Sequence, residues 1–112
     1  MHRPVLRRRL TLEEPVELAD GGGGSIGGWR EVGTLWADVR AVSGSEMLQG
    51  GRDRQRVTHR VIVRGAPVGS PRRPSPHQRF RDGSRIFDIL AVAENDPDGR
   101  FILCWTEEGG SA

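Results

Sequence analysis

Residues 29–42 read W-R-E-V-G-T-L-W-A-D-V-R-A-V and carry the clearest strand pattern in the chain. Alternate positions on one face are apolar: Leu35, Ala37, Val39 and Ala41. The opposite face carries Trp36, Asp38 and Arg40. A period of two is typical of an antiparallel strand with one face in a core. The other strands of the fold must therefore pair with this segment and cover its apolar face.

Shorter segments repeat this alternation on both sides of it. They are Leu6–Leu12, Val57–Arg64, Gln78–Arg81, Arg85–Ala93 and Phe101–Thr106. Asp82-Gly83 separates two of them and predicts a tight hairpin, because glycine adopts the positive φ that such turns require. Arg85–Ala93 is apolar on both faces, so we expect it to be the most buried strand.

This order predicts an all-β fold, a small antiparallel β-barrel or sandwich of five or six strands with long loops. At 112 residues the chain forms one domain. Residues 1–28 are expected to form an N-terminal arm, with a flexible loop at 19–28 because six of those ten residues are glycine. The barrel core then spans residues 29–107, with loops at 43–56 and 65–77, and residues 108–112 form a polar tail.

The charged residues are nearly balanced and are unusual in kind. The net charge is +2, and all 17 basic residues are arginine. This bias fits either a GC-rich genome or selection for phosphate contacts and ion pairs. No apolar run approaches the length that crosses a membrane, and no secretory signal is expected at the N-terminus.

The residue types that carry most enzyme chemistry are sparse. Cys104 is the single cysteine, so an internal disulfide is excluded and a reducing compartment is favoured. His59 lies on an apolar strand face and is expected to be a core or interface residue instead of a metal ligand. No nucleophile, metal or phosphate-loop motif is present, so we expect no catalytic residues, no metal and no cofactor.

Two arginine clusters remain open to interpretation. Arg7, Arg8 and Arg9 could contact nucleic acid, or they could belong to a solvated tail or to an arm that clasps a neighbour. Arg52, Arg54 and Arg56 recur at every second position of the loop at 43–56 and would project from one side if it is extended. They could face DNA phosphates, or form a solvated loop paired with Asp53.

Four motifs in this order resemble the phage head–tail joining family, the head-closure or stopper proteins of long-tailed phages. They are W-x-x-V-x-T-L-W-A-x-V at 29–39, S-G-x-E at 43–46, T-H-R-V-I-V-R at 58–64 and D-G-x-R-x-F-D-I at 82–89. The resemblance covers about residues 4–107. The chain differs from the family at residues 65–77, where a proline- and arginine-rich stretch replaces a short aromatic-bearing run. The arginine-only composition would suit a prophage or a gene transfer agent.

The resemblance implies a structural role in the virion, without catalysis. It implies a homo-oligomeric ring of six or twelve copies that binds the portal–adaptor ring on the head side and the tail terminator or tail tube on the other. It also implies that the loop at 43–56 gates the DNA channel, where Arg52, Arg54 and Arg56 would contact passing DNA. Side chains expected at the ring or partner interface are Trp36, Arg40, Arg60 and Arg64. The alternatives are a stand-alone nucleic-acid-binding barrel and a neighbouring adaptor or tail-terminator role.

Overall fold

Six β-strands form the fold in a computed structural model that describes residues 3–42 and 57–109. Their bounds are β1 Arg8–Ala19, β2 Ser25–Ala41, β3 Val57–Arg64, β4 Arg79–Asp82, β5 Arg85–Glu94 and β6 Phe101–Glu108. All neighbours are antiparallel, and the sheet closes on itself in the order β1–β2–β3–β6–β5–β4. The all-β prediction is confirmed. No helix within the described ranges is long and apolar enough to cross a membrane.

The core fills the inside of the closed sheet. The buried side chains come from every strand and are Leu10, Leu12, Ala37, Val61, Val63, Phe80, Phe87, Ile89, Ile102 and Cys104. Within each strand they alternate with outward-facing residues, as the period of two requires. Burial of apolar surface stabilises such a core by about 25 cal/mol for each Å² removed from water.

The tight turn predicted at Asp82-Gly83 is present. Asp82 pairs with Arg85 across a loop of two residues, and Gly83 has a φ of +62°. Among non-glycine residues of the described ranges, positive φ occurs at His77 and not at Ser84. Positive φ at the first central residue alone is the pattern of a type II′ turn, which matches the twist of the flanking strands.

The prediction that residues 19–28 form a flexible loop is wrong for half of that segment. Ser25–Gly28 belong to β2, which begins four residues before Trp29, and they pair with Val16–Ala19 of β1. The remaining residues form the turn at the tip of a long hairpin. Asp20 orders this tip, because its Oδ1 accepts hydrogen bonds from the backbone N–H groups of Gly22 and Gly24 at 2.7 and 3.0 Å.

The expectation that β5 is the most buried strand is also wrong. Leu90 and its neighbours Ala91 and Ala93 are exposed, and the ladder with β6 is interrupted by a bulge between Ile89 and Ala91. A closed sheet has one interior, so apolar side chains on the outer face of a strand stay uncovered within the single chain. Apolar residues on both faces of a strand therefore do not by themselves predict that the strand is buried.

Candidate interface on the barrel surface

The four residues predicted at an interface lie on the outer face of β2 and β3. Arg40 and Arg60 are directly paired across the two strands, an arrangement that normally repels. A separate contact stabilises the positive charge of each guanidinium. The Nε of Arg40 lies 3.0 Å from Oδ1 of the buried Asp38, and the guanidinium carbon of Arg60 lies 5.0 Å from the ring centroid of Trp105. These two contacts offset part of the repulsion between the paired arginines.

Trp36 and Arg64 meet in an open groove of about 470 Å³, which we call the Trp36 groove. Its lining residues are Leu6, Thr34, Leu35, Trp36, Arg64 and Arg72. The Trp36 side chain is 53% exposed, and the guanidinium of Arg9 lies 5.9 Å from its ring centroid. Neither Arg64 nor Arg72 forms an ion pair with another described residue. The groove thus combines an apolar floor with two positive charges that no described carboxylate neutralises.

Sequence reasoning missed three residues of this surface. Trp105 extends the surface onto β6. Its outward position could be predicted, because Phe101, Leu103 and Trp105 alternate with buried neighbours. That signal was present in the sequence. Leu6 and Arg72 reach the Trp36 groove from segments outside the strands, and no local pattern indicates that they do so.

Two hydrogen-bonded ion pairs form a charged cluster at one end of the barrel. Arg8 bonds to Asp82 at 2.6 Å, and Arg85 makes two bonds to Glu108 at 2.6 and 2.9 Å. Both guanidiniums lie near the Phe87 ring, at 6.0 and 5.1 Å from its centroid. The hydrogen bond from Arg85 holds the pKa of Glu108 below its ordinary value. This pairing lets charged groups close the barrel end.

His59 lies beside this cluster and is buried, as expected for a core histidine. Its ring meets Phe87 edge to face at 5.2 Å, and its Nε2 lies 3.7 Å from Oε1 of Glu108. Burial lowers the pKa of His59 more than the carboxylate of Glu108 raises it, so the imidazole is neutral at neutral pH. In the described part of the chain, no group of three or more His, Cys, Asp or Glu side chains is placed to hold a metal ion.

The predicted channel arginines, Arg52, Arg54 and Arg56, lie outside the described residues. The residues on either side of that segment are described: the N–H of Val42 donates to the carbonyl of Thr58 at 2.9 Å. Val42 and Thr58 therefore lie together at the barrel end that contains the charged cluster.

The basic cluster at residues 7–9 is largely engaged with the barrel itself. Arg8 belongs to the charged cluster, and Arg9 contacts Trp36. The N–H of Arg7 donates to the carbonyl of Ala37 at 3.1 Å, and that of Val5 donates to Asp38 Oδ2 at 2.9 Å. The N-terminal segment thus continues along β2, so its position is set by the barrel.

Comparison with known proteins decides the family. The model of the family described as phage head completion protein matches residues 1–109. This chain belongs to the phage head completion protein family. The resemblance predicted from the four motifs is therefore confirmed, and a structural role in head closure follows from that membership.

Solved structures agree with the family assignment. A chain in the structure of the virion of a native gene transfer agent particle is 48% identical to this one, with a TM-score of 0.78 and coverage of 98% of this chain and 100% of that chain. A solution structure of a Shigella flexneri 2a protein is 23% identical, with a TM-score of 0.69 and 96% coverage of both chains; it supports the fold alone. No curated protein matches the chain.

Proposed function

We propose that this head completion protein is a stopper-type connector in a phage or gene transfer agent particle. Its copies form a ring between the portal–adaptor ring and the tail terminator or tail tube, and the ring retains the packaged DNA. The similarity to a chain of a gene transfer agent virion supports this location. The chain needs no catalytic group for this role, since a ring acts by position and shape.

The exposed Trp36 carries the assembly part of the proposal. Trp36 is 53% exposed and lies beside Arg64 and Arg72, which form no ion pair with a described residue. Protein interfaces favour this combination of a large aromatic side chain and arginines. The outer face of β3 and β6 continues this surface through the Arg60–Trp105 contact. Trp36, Arg40, Arg60 and Arg64 are therefore the residues assigned to contacts with neighbouring copies or with the adjoining rings.

The channel part of the proposal rests on the segment at residues 43–56. The residues that flank it, Val42 and Thr58, are hydrogen-bonded at one end of the barrel, which supports a role at that end. Arg52, Arg54 and Arg56 would meet DNA phosphates, which attract arginine without regard to base sequence. The low net charge of +2 suits a surface past which DNA must slide.

Complementation of particles that lack this protein tests the proposal. Wild-type protein should restore both DNA retention and tail attachment, whereas Trp36→Ala should restore neither if it prevents ring assembly. Replacement of Arg52, Arg54 and Arg56 by glutamine should leave tails attached and change only retention or release of DNA. Leu90→Ala, a change at another exposed apolar side chain, serves as the control and should behave as wild type. Normal DNA retention and tail joining without the protein would refute the proposal.

Binding of the free protein to DNA separates this function from that of a stand-alone nucleic-acid-binding barrel. A dedicated binder that uses several arginines should bind DNA at low salt and lose affinity steeply as salt rises. A connector is expected to bind weakly as a monomer, because its phosphate contacts act together only in the ring.

A further inference from the structure

The β1–β2 hairpin extends well beyond the barrel. Residues 14–19 and 25–30 pair with each other, whereas β4 pairs with β1 only at Thr11–Glu13 and β3 pairs with β2 only at Ala37–Ala41. We call residues 14–30 the projecting hairpin. The chain measures 54 Å along its longest axis against 33 and 22 Å along the others. A two-stranded ribbon of this kind is marginally stable in water and gains stability from a partner.

The tip of the projecting hairpin is apolar on one face. Leu18 and Ile26 are paired directly across the two strands and are 51% and 57% exposed. Leu18 lies over Gly28, where a Cβ would come within 2.8 Å of its Cδ1. The glycine therefore leaves room for Leu18 to lie flat beside Ile26, and together they present an uncovered apolar patch.

Two carboxylates lie close to this patch, Glu17 on the opposite face of the ribbon and Asp20 in the turn. Glu17 accepts a hydrogen bond from the Ser25 hydroxyl at 2.9 Å, and Asp20 accepts the backbone bonds of the turn. Those backbone hydrogen bonds lower the pKa of Asp20, so it is ionised at neutral pH. Neither carboxylate forms an ion pair with any residue the structure describes. The tip thus has one apolar face, and its negative charge lies in the turn and on the opposite face.

The Trp36 groove has the complementary character. Its floor is formed by Leu6, Leu35 and the exposed Trp36, and Arg64 and Arg72 supply its charge. A hairpin tip cannot reach the groove of its own copy. Ile26 and Trp36 are ten residues apart on the continuous strand β2, which at about 3.3 Å per residue separates them by roughly 33 Å.

We infer that the projecting hairpin of one copy docks the Leu18–Ile26 face of its tip on the floor of the Trp36 groove of a second copy. Asp20 in the turn and Glu17 on the far face of the ribbon would then lie toward Arg64 and Arg72, which line the groove. The contact joins two different surfaces, so it is heterologous and can close into a ring by rotation. Each copy would give one tip and receive another. This inference rests on the proposed connector function, since it identifies the contact that builds the ring.

Cysteine cross-linking tests the contact directly. An Ile26→Cys/Thr34→Cys variant carries one thiol at the tip and one at the groove, and both side chains replaced are exposed. A short bis-maleimide should convert it into a ladder of chain multiples, in purified protein at high concentration or in assembled particles. Either single variant should give no ladder, and the native Cys104 is buried and should not react. An Ile26→Cys/Leu90→Cys variant is the matched control, because Leu90 is exposed outside the groove.

Charge exchange supplies a second readout. Glu17→Arg and Arg64→Glu, each added to the cross-linking variant, should each weaken the ladder, and the two together should restore it. The inference is overturned if no ladder forms in either setting, if the Leu90 control gives an equal ladder, or if Ile26→Cys links instead to another particle protein. Particles that still require the protein but show no ladder would overturn this contact alone. Normal particles without the protein would overturn the connector function itself.

Discussion

Arg79 lies between Trp29 and Glu13 at the base of the projecting hairpin. Its guanidinium carbon is 4.0 Å from the Trp29 ring centroid, and its Nε donates to Glu13 Oε1 at 2.7 Å. Arg81 donates to the other carboxylate oxygen at 2.9 Å. Burial alone would raise the pKa of Glu13, but the bonds and charges of the two arginines outweigh it and hold the pKa below its ordinary value. This contact fixes the direction in which the hairpin leaves the barrel.

Arg79→Ala should lower the free energy of unfolding by about 2–3 kcal/mol, because it removes a buried ion-pair partner and a cation–π contact together. Arg30→Ala is the control, since Arg30 forms an exposed pair with Glu14 on the same hairpin and should cost less than about 0.5 kcal/mol. Urea unfolding followed by tryptophan fluorescence measures both. Equal effects of the two changes would contradict the role assigned to Arg79.

His59 should make the protein less stable as the pH falls from about 7.5 to about 5.5. Burial holds its folded-state pKa below the ordinary 6.5, so the unfolded chain binds more protons in the window below 6.5. Stability must then rise with pH through that window. His59→Gln should flatten the dependence of the urea midpoint on pH. Glu13 and Glu108 have pKa values below their ordinary value of 4.5. Their titration therefore changes the stability only at lower pH and does not contribute to this range. An unchanged slope in the variant would rule out His59 as the source.

Cys104 should be inert to thiol reagents in the folded protein. Burial raises its pKa to about 12, so at pH 8 only about one thiol in ten thousand is ionised, and the side chain is out of reach. Titration with a chromogenic disulfide reagent should find no reactive thiol in buffer and one per chain in guanidinium chloride. Rapid reaction of the native protein would show that the barrel opens at β6.

Gly65→Ala should destabilise the barrel by about 2 kcal/mol through overpacking. A Cβ there would lie 2.1 Å from the carbonyl oxygen of Gly99, and the Gly65 N–H donates to the Arg100 carbonyl at 2.7 Å. The backbone on both sides must therefore move. Gly27→Ala is the matched control, because a Cβ at Gly27 meets nothing within 4 Å. Thermal unfolding of both variants should separate them clearly, and a Gly65→Ala midpoint equal to that of Gly27→Ala would contradict the close approach.

The sequence by itself determined the elements whose signal is local. The alternation in Val57–Arg64 predicted β3 with the bounds observed, because each side chain's face depends only on its place in the strand. Gly83 marked a turn that its own positive φ explains. The four motifs also indicated the family, since they fix residue types at set spacings.

Tertiary structure alone decided the parts that depend on a partner strand. The glycines of Ser25–Gly28 predicted a loop, because glycine has little preference for a strand. In the structure these residues form part of a strand, because they pair with Val16–Ala19. Closure of the sheet, which no single segment encodes, left Leu90 outside the barrel. The Trp36 groove likewise brings together side chains from the N-terminal segment, from β2 and β3 and from the loop at 65–77. Contacts between residues far apart in sequence arise from the register of the closed sheet, so the positions of the hairpin tip and of the Trp36 groove follow from the three-dimensional fold.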